Sequence, residues 1–113
     1  MIAFWTGRAV SENARLEPGQ GRFRANADYA AFKESVAWAV RSHAETFTGP
    51  VSVHLSMLLN ARMDATNIIK PVLDALELAG VVKNDKQVRQ LHVVRENAKS
   101  KQSDWLCIMV TEV

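Results

Sequence analysis

VSVHLSMLLNARMDATNIIKPVLDALELAGVVKNDKQV, residues 51–88, holds a strand, a helix and the opening of another strand. Val51, Val53, Leu55, Met57 and Leu59 alternate with Ser52, His54, Ser56 and Leu58, the period of two that a pleated strand imposes on its faces. Near its end the run is apolar on both faces, which predicts a strand well inside a sheet. A turn over Asn60–Met63 follows. The spacing then predicts a helix over Asn67–Ala79, stopped by Gly80, with Ile69, Val72, Leu73 and Leu76 as its buried stripe. Asn67, Lys70, Asp74 and Glu77 recur at three and four on another face. Pro71 removes an amide donor, so the helix is expected to start late or bend in its first turn.

Working outward, Ile2–Trp5 predicts a short strand and Asp28–His43 a helix, with Phe32, Val36, Ala39, Val40 and His43 as its inner stripe and Asp28 as its cap. Between them Thr6–Ala25 reads as a long loop, a binding arm or a mobile segment. Beyond the central stretch a strand is expected near Val88–Arg95, a hairpin loop over Asn97–Asp104 and a closing strand over Trp105–Thr111, with Leu106, Ile108 and Val110 on one face. The expected order is strand, helix, strand, helix, strand, strand, an α+β fold.

A chain of 113 residues with 48% apolar residues can build one core, so residues 1–113 are read as a single domain. No apolar run approaches the ~20 residues needed to span a bilayer, and MIAFWTGRAV lacks the layout of a secretory leader. A cytoplasmic protein with no membrane partner is expected. The lone Cys107 has no partner for an internal disulfide and is read as a small core residue. Trp5, Trp38 and Trp105 are read as core or interface aromatics, and the scattered His43, His54 and His92 make no zinc set.

Net charge is only +2, but its distribution is uneven. Lys83, Lys86, Arg89, Arg95, Lys99 and Lys101 face two acids in their segment, and Arg8, Arg15, Arg22 and Arg24 cluster near the start. Two basic segments flanking an acidic pair suit a polyanion threaded past a metal, while solvated loops are the ordinary reading of the same charges. Asp64, beyond the carboxyl end of the central strand, and Asp85, in a basic loop, would hold Mg²⁺ if the two loops converge, because hard cations take oxygen ligands and let phosphate complete the shell. Lys70 would pair with the same phosphate or the leaving oxygen, and Asp74, four residues on, would orient it. Each residue also has an ordinary role: Asp64 or Asn67 as a cap, Lys70 and Asp74 as a surface ion pair, Asn84 and Asp85 as turn formers.

RMDATNIIKPVLDALELAGVVKNDKQV, residues 62–88, resembles the signature of the RusA family of Holliday junction resolvases, approximately Asp-x-Asp-Asn-x-x-Lys-x-x-x-Asp-x-Leu, a short gap, then Asp-Asp-x-Gln-Val. Asp64, Asn67, Lys70, Asp74, Leu76, Asp85, Gln87 and Val88 fall in register, and Ser11, Asn13 and Arg15 are similar to the family's early Ser-Asn-Arg segment. The resemblance implies a homodimeric α+β nuclease that uses Mg²⁺, with Mn²⁺ as an alternative, to hydrolyse phosphodiesters of branched DNA at four-way junctions. It implies that Asp64 and Asp85 are catalytic metal ligands assisted by Lys70, with Thr66, Asn67, Asp74, Asn84 and Gln87 in support. Asn13, Arg15, Arg22, Arg24, Lys86 and Arg89 are the candidate DNA contacts.

Thr66 stands where the family pattern has its second aspartate, and Asn84 where it has the first of its Asp-Asp pair. A neutral hydroxyl competes poorly with water for Mg²⁺, so weaker metal binding is expected. Thr66 is alternatively read as a helix cap. A junction-binding protein with weak or lost cleavage is therefore the rival reading, and an interaction protein with no nucleic-acid role a third.

Overall fold

The structure, a computed structural model, describes residues 1–11, 22–99 and 101–113, with side chains in the first helix described from Ala27 onward. The run that alternates over residues 51–59 forms strand β2 (Val51–Leu59), flanked on both edges by other strands. With β1 (Ile2–Gly7), β3 (Val88–Asn97) and β4 (Asp104–Glu112) it makes a four-stranded sheet in the order β1-β4-β2-β3. β3 lies parallel to β2 and the other pairings are antiparallel, so the sheet is mixed. Helices α1 (Arg22–Arg41) and α2 (Thr66–Leu78) complete a small α+β fold.

The expected hairpin over Asn97–Asp104 is not one. β3 and β4 are separated by β2, so the connecting loop passes over a strand rather than turning between partners. Burial explains the arrangement. Leu106, Ile108 and Val110 of β4 are completely buried and need strands on both sides, whereas β3 carries Arg89, Gln90, Arg95 and Glu96 and leaves most of its residues exposed, as an edge strand should.

α1 begins at Arg22, earlier than the expected Asp28, and shortens the long loop; residues 12–21 of that loop lie outside the described residues. Nothing in Arg22–Ala27 breaks a helix, since no Gly or Pro intervenes. Asp28 is accordingly not a cap but an exposed residue inside the helix. Tyr29, Phe32, Val36, Ala37 and Val40 are the buried stripe, while His43 falls beyond the helix and is exposed. α2 starts at Thr66 rather than late, Pro71 is buried within it, and Gly80 at φ 79° ends the unit in the left-handed region. Ile68, Pro71, Val72, Ala75 and Leu76 face the sheet; Ile69 and Leu73 are only partly buried.

Both helices cover one face of the sheet, where Ala3, Trp5, Val53, Leu55, Met57 and Leu106 join the core. Trp5 packs edge-on to Phe32 and its indole donates to Ser35 Oγ at 2.9 Å. Trp38 is 60% exposed, with the Arg41 guanidinium 4.9 Å from its ring, so it belongs to the surface. Cys107 pairs with Phe4 and Ser56 on the opposite face, which neither helix covers, and is only partly buried, not the core thiol expected. No helix among the described residues is long and apolar enough to cross a membrane.

Candidate active site

β2 ends by delivering its chain into a loop that Arg95 of β3 pins from below. The Arg95 guanidinium donates to the Met63 carbonyl at 2.7 Å and to the Asn60 carbonyl at 3.0 Å. Asp64 follows at once and opens α2. Its Oδ1 accepts the Thr66 amide at 3.0 Å and the Thr66 hydroxyl at 2.8 Å, and its carbonyl accepts the Asn67 amide at 3.1 Å. Asp64 therefore satisfies the helix start, and Thr66, read alternatively as the cap, is the first helical residue and donates to it. The Thr66 hydroxyl bond, then its amide bond, hold the Asp64 carboxyl below its ordinary value, with the Arg95 charge adding to the effect. Oδ2 has no partner among the described residues.

Downstream, the polar stripe of α2 meets the turn Asp85–Gln87. Lys70 Nζ lies 2.8 Å from Asp74 Oδ1 and 3.2 Å from Asp85 Oδ2. Lys33 of α1 reaches the other oxygen of Asp74 at 3.7 Å. Charges thus alternate from Lys33 through Asp74 and Lys70 to Asp85, and the Lys70 ammonium is pushed well above its ordinary value by its bonds to Asp74 and Asp85.

The Asp85 turn is held by its neighbours' side chains. Glu77 Oε1 accepts the Asp85 amide at 2.9 Å, and Asn84 Oδ1 accepts the Lys86 amide at 2.9 Å. Gln87 accepts the Lys83 amide at 2.7 Å and donates to the Phe47 and Gly49 carbonyls at 2.8 and 2.9 Å. Asn84, at the family's aspartate position, is here the cap of this turn.

Lys70, Asp74 and Asp85 are brought together, while Asp64 is not brought into contact with them. It stands at the amino end of α2, six residues before Lys70, or ~9 Å along the axis at 1.5 Å per residue. No three carboxylate, imidazole or thiol side chains among the described residues are grouped to cage an ion. The oxygen donors of Asp64 and Asp85 nevertheless fit a hard cation that takes one or two carboxylates and completes its shell with phosphate and water. Lys86 and Arg89 line a shallow hollow with Gly49 and Gln87. Asn13 and Arg15 lie outside the described residues, as do the side chains of Arg22 and Arg24 in the first turn of α1.

Three supporting residues carry no sequence signal of their task. Lys33 and Arg95 act across elements, and long-range pairing leaves no periodic trace. Glu77 is visible in the sequence only as one member of a polar stripe.

Compared with known families, residues 7–104 match the family model for endodeoxyribonuclease RusA. A curated relative is the crossover junction endodeoxyribonuclease RusA of Aquifex aeolicus (strain VF5), 28% identical over 97 residues, which span 80% of this chain and 75% of that protein.

Proposed function

The chain belongs to the RusA family of endodeoxyribonucleases, and from that premise we propose that it resolves four-way DNA junctions as a homodimeric, divalent-metal-dependent nuclease. The observation that carries this reading is the Lys70 ammonium, anchored by Asp74 and directed at Asp85 on the exposed face of the helix that Asp64 opens.

Asp64 and Asp85 would hold Mg²⁺ or Mn²⁺, which when bound supplies an acidified water and positive charge beside the phosphodiester. Asp64 stays ionised because Thr66 donates twice to one of its oxygens, which leaves the other to face outward. Lys70 stays protonated through the neutral range, so its part is to stabilise negative charge on the phosphate or leaving oxygen and not to accept a proton. Asp74 positions Lys70, and Lys33 neutralises the second oxygen of Asp74. Glu77, Asn84 and Gln87 set the turn from which Asp85 projects.

A junction-binding protein without cleavage is the second reading. It is favoured by Thr66, whose hydroxyl is spent on Asp64 and adds no anionic ligand. Labelled four-way junction incubated with Mg²⁺ or Mn²⁺ separates the two. Paired strand cuts by the wild type that vanish in Asp64→Asn and Asp85→Asn support the nuclease. Binding without cutting, or full cutting by both variants, removes it.

A further inference from the structure

Beside the loop that leads into Asp64 lies a hollow of about 530 Å³ that neither the candidate ligands nor the expected DNA contacts account for. Three segments wall it: Gly7–Ala9 at the end of β1, Asn60–Met63 after β2 and Lys101–Asp104 leading into β4. Each contributes one exposed cation, Arg8, Arg62 and Lys101, and none of the three has an acidic partner among the described residues.

Among the described residues Asp104 is the only acid in the lining, and it is turned inward. It is 6% exposed, and its two carboxylate oxygens accept the Ala9 and Asn60 amides, each at 2.9 Å. Its charge therefore binds the three segments to one another, and the open side of the hollow is left positive. Lys101 sits at φ 70°, a region that favours Gly or Asn, in a turn closed by the Gln102 side chain on the Lys99 amide at 2.7 Å. A lysine held there at a steric cost points to a use for its charge.

We propose that this hollow is a binding subsite for the phosphodiester backbone of DNA, with Arg8, Arg62 and Lys101 as its phosphate contacts and Asp104 as the residue that shapes it. The subsite rests on the nuclease reading and gives it a direction. A strand seated there passes Arg62 and Met63 and reaches Asp64 as the next residue in the chain. Arg62, two residues before Asp64, would help register the strand, and Arg8 and Lys101 would extend its track over the end of β1 and the start of β4.

Metal-free binding of a fluorescent synthetic four-way junction, titrated across salt concentrations, tests the subsite. Arg8→Gln/Arg62→Gln/Lys101→Gln should weaken binding at least tenfold near physiological salt. It should also flatten the slope of log affinity against log salt by about 0.9 for each phosphate no longer neutralised. Arg41→Gln, at the end of α1 and outside the lining, should leave the slope unchanged. A triple variant that binds with the wild-type slope overturns the subsite, as does an Arg41→Gln variant whose slope flattens as much per charge removed, which would reflect bulk charge. A wild type that binds no DNA at any salt overturns the nuclease reading and the subsite together; one that binds and cuts beside an unaffected triple variant overturns the subsite alone.

Discussion

At the scale of single residues, the departure at position 66 changes what Asp64 does before any ion arrives. An aspartate there would place a second negative charge beside Asp64, whereas the Thr66 hydroxyl donates to it at 2.8 Å and lowers its proton affinity. In the metal-free protein, carboxyl NMR should show Asp64 titrating below 3.8, and Thr66→Val should move it upward by removing the largest cause while the amide bond remains. The sign for stability follows. A depressed native value stabilises above the unfolded value of 3.8, and that contribution is lost as pH falls through the lowered native value. Thr66→Val should therefore be less stable than wild type in urea unfolding near neutrality, with the difference closing in acid. Thr66→Asp should bind Mg²⁺ more tightly in calorimetry; unchanged binding would mean that position 66 does not reach the ion. Lys70→Met isolates the cation. Because Lys70 is about half exposed, its stability cost should stay below ~1 kcal/mol, while junction cleavage falls about 100-fold with binding retained.

At the scale of elements, what was legible followed short-range periodicity and what was not followed pairings between distant segments. The alternation over Val51–Leu59 and the threefold and fourfold spacing of Lys70, Asp74 and Glu77 are local, and they point to a central strand and an exposed functional stripe. The motif register put Lys70 and Asp85 in one neighbourhood. Asp104 binding the ends of β1 and β2, Lys33 reaching Asp74, and β4 inserted between β1 and β2 depend on pairings across the chain, for which no spacing rule exists. Gln87 shows the middle case. Its place in the motif was readable, but its task was not, because the two carbonyls it grips belong to the loop before β2. Gln87→Ala removes all three of its bonds and should cost ~1–3 kcal/mol, read from the urea midpoint. Cleavage should fall as well, since the turn carrying Asp85 loses its tie to that loop.

For the whole molecule, the imbalance is between a sheet face covered by both helices and one that no element among the described residues covers. Two rows cross all four strands on the second face: Ile2, Met109, His54 and His92, then Phe4, Cys107, Ser56 and Val94. Ile2 is 52% exposed, Phe4 71% and Val94 63%, and the rings of His54 and His92 stack 4.4 Å apart. Neither row contains an Asp, Glu, Lys or Arg. Exposed Ile2, Phe4 and Val94 on one sheet face suit an interface, since sheets pack face to face with interdigitating side chains. A second copy related by a twofold axis would cover this face with the same surface and carry two sites, one for each of the symmetric strands of a four-way junction. Sedimentation equilibrium should then give twice the 12.6 kDa of the chain. Phe4→Glu/Val94→Glu should sediment as a single chain with unchanged helix content, because neither residue touches the core. It should also cut junctions on one strand at a time, losing the paired incisions of the wild type. A wild type that sediments as one chain removes the homodimer, and a charged face that leaves the dimer intact places its interface elsewhere.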